Sequence, residues 1–106
     1  MPLSLTDPNL LRQSAYIAGR WVSSESKKEI AVVNPASGEK LGSVPHCTVA
    51  EVKQAIDAAE KAQRSWRAQT AKDRSHVLRK LYDLIIKNRE DLAQIVTLEQ
   101  GKPLAE

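Results

Sequence analysis

Cys47 is the single cysteine of this 106-residue chain and directly follows His46, so a thiolate nucleophile is the first chemistry to consider. Such a nucleophile needs a base within hydrogen-bond reach or a field that lowers its pKa. Adjacency in sequence does not give His46 that reach, although a helix predicted to start just after Cys47 would supply a dipole. We read Cys47 as an ordinary small side chain at a strand end. His46 and His76 have no second cysteine or third ligand at metal spacing, so the zinc signatures are not met. Glu99-Gln100-Gly101-Lys102-Pro103 gathers a carboxylate, an amide and a cation at a helix end. The same residues make a helix stop, with glycine in the left-handed conformation, lysine facing the negative terminus and proline blocking continuation. Gly19, Gly38, Gly42 and Gly101 are too dispersed to cradle a phosphate, and neither GxGxxG nor a Walker pattern occurs.

The elements that would position these residues follow from periodicity and capping. Val77, Leu81, Leu84, Ile85, Leu92, Ile95 and Val96 recur at helical steps, leaving Lys80, Asp83, Lys87 and Arg89 towards water. Thr70 with Asp73 starts this stretch, and Asn88 with Asp91 offers a second start, so it is one bent helix or two consecutive ones. Upstream, Thr48 and Glu51 form a capping box, and Val52, Ala55, Ile56, Ala59 and Ala62 line one face of the helix that follows, closed by Trp66. Asp7 caps a short N-terminal helix with Pro8 at its first position, and Leu10 and Leu11 pack it down. Tyr16 to Val22 reads as a hairpin reversing at Gly19, and Ser23 to Lys28 as an exposed polar loop. Ile30 to Val33 and Lys40 to Val44 form a second hairpin around Asn34 to Gly38, where Asn34 accepts from following amides and Gly38 takes a positive φ. Pro45 closes that strand.

The bulk properties narrow the classes. A domain this small buries about two-thirds of its unfolded surface, so the expected core is modest. Sixteen basic against thirteen acidic residues give +3 with the signs interspersed, which argues against nucleic acid as a partner. No run approaches the roughly 20 apolar residues of a membrane span, and the N-terminus lacks the pattern of a secretory signal. With one cysteine no intramolecular disulfide forms, and the expected location is the cytoplasm.

In order, YIAGRWV, VVNPASGEKLGSVP, the Val52 to Trp66 helix and TAKDRSHVLRKLYDLIIKNREDLAQIVTLEQGKPLAE resemble the N-terminal segment of the NAD(P)-dependent aldehyde dehydrogenase superfamily. The combination with LGSVP is most similar to the succinate-semialdehyde branch. The resemblance implies an α/β fragment of the aldehyde dehydrogenase fold: a short N-terminal helix, two small antiparallel hairpins and two to three helices. Residues 1–47 would be its hairpin-rich part, and residues 48–106 a helical part packing on a cofactor-binding domain absent from this sequence. The chain's last residues, Leu104-Ala105-Glu106, carry no obvious stop, which leads us to expect further sequence.

A parent enzyme of this kind forms a thiohemiacetal on a catalytic cysteine, transfers hydride to NAD or NADP and hydrolyses the thioester, usually as a dimer or tetramer. Its catalytic and cofactor-binding residues lie beyond the matched segment. Cys47 does not match the nucleophile motif, so the 106 residues alone are expected to be inactive and to bind no cofactor. The resemblance also implies a structural monovalent cation at Val32, Val33 and Glu99, where backbone carbonyls and one carboxylate would be the ligands. The partner expected is the remainder of the dehydrogenase chain. A rival from another class is a standalone, non-catalytic helical interaction module using its alanine-rich face, which an exposed apolar face would disfavour.

Overall fold

The computed structural model describes residues 3–106. A single 3-10 turn, Pro8–Leu10, follows Asp7, whose carboxylate accepts the Asn9 N–H at 3.0 Å. The strands β1 (Ala15–Ile17) and β2 (Arg20–Val22) form an antiparallel hairpin reversing at Ala18-Gly19, both with positive φ (52° and 79°). This backbone twist suits a two-residue hairpin, and glycine takes its half without strain.

The strands β3 (Glu29–Val33) and β4 (Lys40–Pro45) make the second hairpin. Asn34 holds its turn, accepting the Ala36 N–H on Oδ1 at 2.9 Å and the Gly38 N–H on its carbonyl at 2.7 Å. The register pairs Val32 with Gly42 but Val33 with Lys40, so Leu41 bulges out of the ladder beside Val32 and Val33.

Three helices complete the chain: α1 (Val49–Ala68), α2 (Ala71–Lys87) and α3 (Arg89–Gln100). The Thr48 and Glu51 capping box is present with both reciprocal bonds, and the Thr70 hydroxyl accepts the Asp73 N–H at 3.1 Å. Of the two readings for residues 70–103, separate helices are found. At the break, however, Asn88 does not cap α3 with its side chain; its Nδ2 donates back to the Leu84 carbonyl at 2.8 Å, closing α2 instead. Gly101 ends α3 at φ 85°, its N–H bonded to the Thr97 carbonyl at 2.9 Å.

α1 leans on β1, α3 on β3, and α2 has its main contact with α3. The result is a layer measuring 46 × 36 × 20 Å with a radius of gyration of 16.7 Å, where a compact domain of this length has about 13 Å. Leu98 is the one buried aliphatic side chain among the described residues. The accessible surface is 8488 Å², against about 5,900 Å² for a self-contained monomer of this mass. Roughly 2,600 Å² is therefore surface that a free-standing fold would have covered.

Candidate functional site

Two of the three proposed cation positions share one cleft beside the bulge in the second hairpin. Val32, at the inner end of β3, and Glu99, in the last turn of α3, line one small cleft with Gln13, Gly42 and Ser43. Gln13 reaches in from the N-terminal strand approach, its Oε1 accepting the Ser43 N–H at 2.9 Å. A Cβ on Gly42 would come within 2.6 Å of that oxygen, so glycine lets the Gln13 amide lie flat on β4. Val33 stands one residue further along, half-exposed and outside the cleft lining. Glu99 is exposed, and Arg12 lines the same cleft. A single carboxylate beside backbone oxygens is a donor set of low charge. That suits a hard monovalent ion better than a divalent one, which recruits several carboxylates. No group of three or more His, Cys, Asp or Glu side chains converges among the described residues.

The strongest electrostatics lie at two other carboxylates. Glu51 is nearly buried; its Oε1 accepts the Glu25 N–H at 2.7 Å, and its Oε2 accepts the Thr48 N–H at 2.7 Å and the Ser24 hydroxyl at 2.8 Å. These donors, led by the Glu25 amide and then the Thr48 amide, hold its carboxyl far below the ordinary value, at about 2, against the opposing effect of burial. Asp91 accepts the Asp7 N–H at 2.8 Å and the Thr6 N–H at 2.9 Å, and the Asp7 amide first, then the Thr6 amide, lowers its pKa. Gln94, one turn on, accepts the Ser4 N–H at 2.8 Å. These are structural clamps: every oxygen is used on backbone or hydroxyl donors of the same chain.

In the loop from Ser23 to Lys28, Ser23, Glu25, Lys27 and Lys28 are exposed as its polarity predicts, whereas Ser24 and Ser26 turn inwards. Ser24 is buried against Glu51, to which its hydroxyl donates, and the Ser26 hydroxyl donates to the His46 carbonyl at 2.9 Å. The capping box signalled Glu51 as a helix start. Nothing in the sequence signalled its second partner 26 residues back.

Cys47 is half-buried at one end of an open apolar concavity formed by Tyr16, Ile17, Val52, Ala55 and Ile56. No hydrogen bond joins it to the His46 ring among the described residues, and His76 lies away on α2. The four glycines serve two hairpin turns, the Gln13 approach and the α3 terminus.

Comparison with known proteins places this arrangement. Residues 21–106 match the model of the aldehyde dehydrogenase family. The chain is 52% identical over 104 residues to the glutarate-semialdehyde dehydrogenase of Pseudomonas aeruginosa, covering 98% of this chain and 22% of that protein. It is 50% identical over 104 residues to the NADP(+) succinate-semialdehyde dehydrogenase of Escherichia coli, with the same two coverages. The crystal structure of succinate-semialdehyde dehydrogenase from Burkholderia pseudomallei superposes with a TM-score of 0.91 at 51% identity, over 97% of this chain and 21% of that one. The chain thus spans about a fifth of the length of the relatives it matches. From hairpin order, capping pattern and sequence together, this chain belongs to the aldehyde dehydrogenase family.

Proposed function

We propose that these residues are the N-terminal part of an NAD(P)-dependent aldehyde dehydrogenase that oxidises succinate semialdehyde to succinate. The observation that carries this reading is the pair of half-identical relatives named for succinate and glutarate semialdehydes, both short aldehydes ending in a carboxylate. The NADP(+) in one relative's name supports a nicotinamide cofactor, which would bind in the larger part of the enzyme. This segment's role is scaffolding: residues 48–106 pack on that cofactor-binding part, and residues 1–47 brace them. The enzyme works in the cytoplasm as a homo-oligomer. The standalone interaction module is the weaker reading, because about 2,600 Å² of uncovered surface suits a segment built into a larger body.

The cleft at Val32, Val33 and Glu99 is the second element of this reading, holding a monovalent cation that ties α3 to the β3 end. In its support, Val32 and Glu99 share the cleft, and the Leu41 bulge loosens the ladder beside both valines. Potassium or sodium in place of a bulky organic cation should raise the melting temperature of the full enzyme, and Glu99→Gln should abolish that dependence.

The test of the activity is made on the protein captured from its source cells with an antibody against this segment. The expected result is a mass several times 11.7 kDa and reduction of NAD or NADP with succinate semialdehyde, at a higher kcat/KM than with glutarate semialdehyde or an uncharged aldehyde. Preference for the uncharged aldehyde would sink the substrate assignment.

A further inference from the structure

α2 carries more apolar surface than any one neighbour could cover. Successive residues of a helix turn by about 100°. With Val77 as origin, Leu84, Val77, Leu81, Ile85, Leu78, Tyr82 and Ile86 fill an arc of roughly 200°. Arg79, Asp83, Lys87 and Lys80 share about 100° on the other side. Arg79 marks the border, its guanidinium 4.8 Å over the Tyr82 ring while its Nε faces Asp83 at 3.8 Å. Arg74 and Ser75 are the polar exceptions within the arc; the Arg74 Nε is already sealed from water, and Ser75 lies near the Ile86 edge. Each of the seven apolar side chains is still between 46% and 59% exposed, Ile85 included, although Ile85 shares a pocket with Leu92, Ala93 and Val96 of α3. An amphipathic helix lying on one surface needs a stripe only a little over 100° wide.

We infer that α2 sits in a two-walled apolar groove provided by the part of the dehydrogenase that this segment lacks, with Leu84 against one wall and Ile86 against the other. The inference rests on the reading of the chain as part of such an enzyme. The occupant follows from the area. The uncovered excess of about 2,600 Å² far exceeds the roughly 800 Å² per partner of a standard interface between two copies, and nearly four-fifths of each matched relative lies outside the matched segment.

The test grafts residues 1–106 in place of the matching segment of the Pseudomonas aeruginosa relative. Leu84→Cys, Ile86→Cys and Lys80→Cys are made singly in the graft, and maleimide labelling under native conditions is followed peptide by peptide. Positions 84 and 86 should both label at least tenfold more slowly than position 80. If only one is protected, α2 lies on a flat surface and the groove is overturned; if neither is, the docking itself is overturned. Protection of both in the free 106-residue chain, with a dimer in sedimentation, would make a second copy the occupant and also overturn the assignment. Loss of aldehyde oxidation in the graft with both positions protected would instead count against the functional reading and leave the groove standing.

Discussion

Glu51 and Asp91 occupy the same position, the third residue of α1 and of α3, and each turns both carboxylate oxygens onto a segment much earlier in the chain. The helix dipole favours an anion there. Each oxygen also meets a backbone N–H that has no strand or helix partner; Glu51 thereby satisfies a helix start and a loop at once, and Asp91 the N-terminal arm alone.

Glu51 makes the fold acid-sensitive in a defined window. A carboxyl whose folded pKa lies below its unfolded one stabilises the fold while ionised. That contribution is complete above the ordinary value of 4.5 and is lost as pH falls towards about 2. Asp91 acts in the same direction. Helix content followed by circular dichroism should hold steady above about pH 5.5 and fall steeply below pH 4.5. Glu51→Gln should lower the neutral-pH signal and flatten that fall, and an unchanged acid transition in the variant would remove Glu51 as its source.

Asp91→Ala should release the N-terminal arm without unravelling α3. The amides of Thr6 and Asp7 lose their only acceptor, so their hydrogen exchange should quicken at least tenfold while those of residues 95–98 keep their rates. Equal quickening in both places would show Asp91 acting on the helix and not on the arm.

At the other end of α3, Gly101→Val should cost about 1–2 kcal/mol or more, because φ 85° is a left-handed conformation that a β-branched residue resists. Lys102→Ala, at an exposed position, should stay within about 0.5 kcal/mol. Equal melting temperatures for the two variants would refute the left-handed stop.

The turn between β1 and β2 contains an avoidable strain. Ala18 sits at φ 52°, where asparagine is better tolerated. Ala18→Asn should gain about 0.5–1 kcal/mol, half the left-handed penalty of an alanine. A loss of stability on denaturant titration would mean that the methyl group of Ala18 packs against something asparagine cannot replace.

Much of the fold was legible because its signals are local. Thr48 with Glu51, Thr70 with Asp73, Asn34 with Gly38, and Gly101 each state their structure within a few residues. The departures occur where a polar side chain chooses a distant partner. Ser24 reads as solvent-facing by type, yet Glu51 buries it; Asn88 reads as a start, yet it bonds backwards. Leu98 is absent from the apolar stripe read from the sequence yet is the buried aliphatic of α3, since periodicity marks a face but not which residue the tertiary packing covers. The cation cleft was legible only through likeness, because Val32 and Glu99 are joined by tertiary packing that no spacing encodes.

The two clamps also differ in when they can close during synthesis. Glu51 follows Glu25 by 26 residues, but Asp91 follows Thr6 by 85. At ribosomal rates of about 5–20 residues per second, the first interval lasts about 1–5 s and the second about 4–17 s. The hairpins can be tied to α1 while the N-terminal arm still waits for its acceptor, so for several seconds Leu5 and its neighbours are open to whatever the nascent chain meets first.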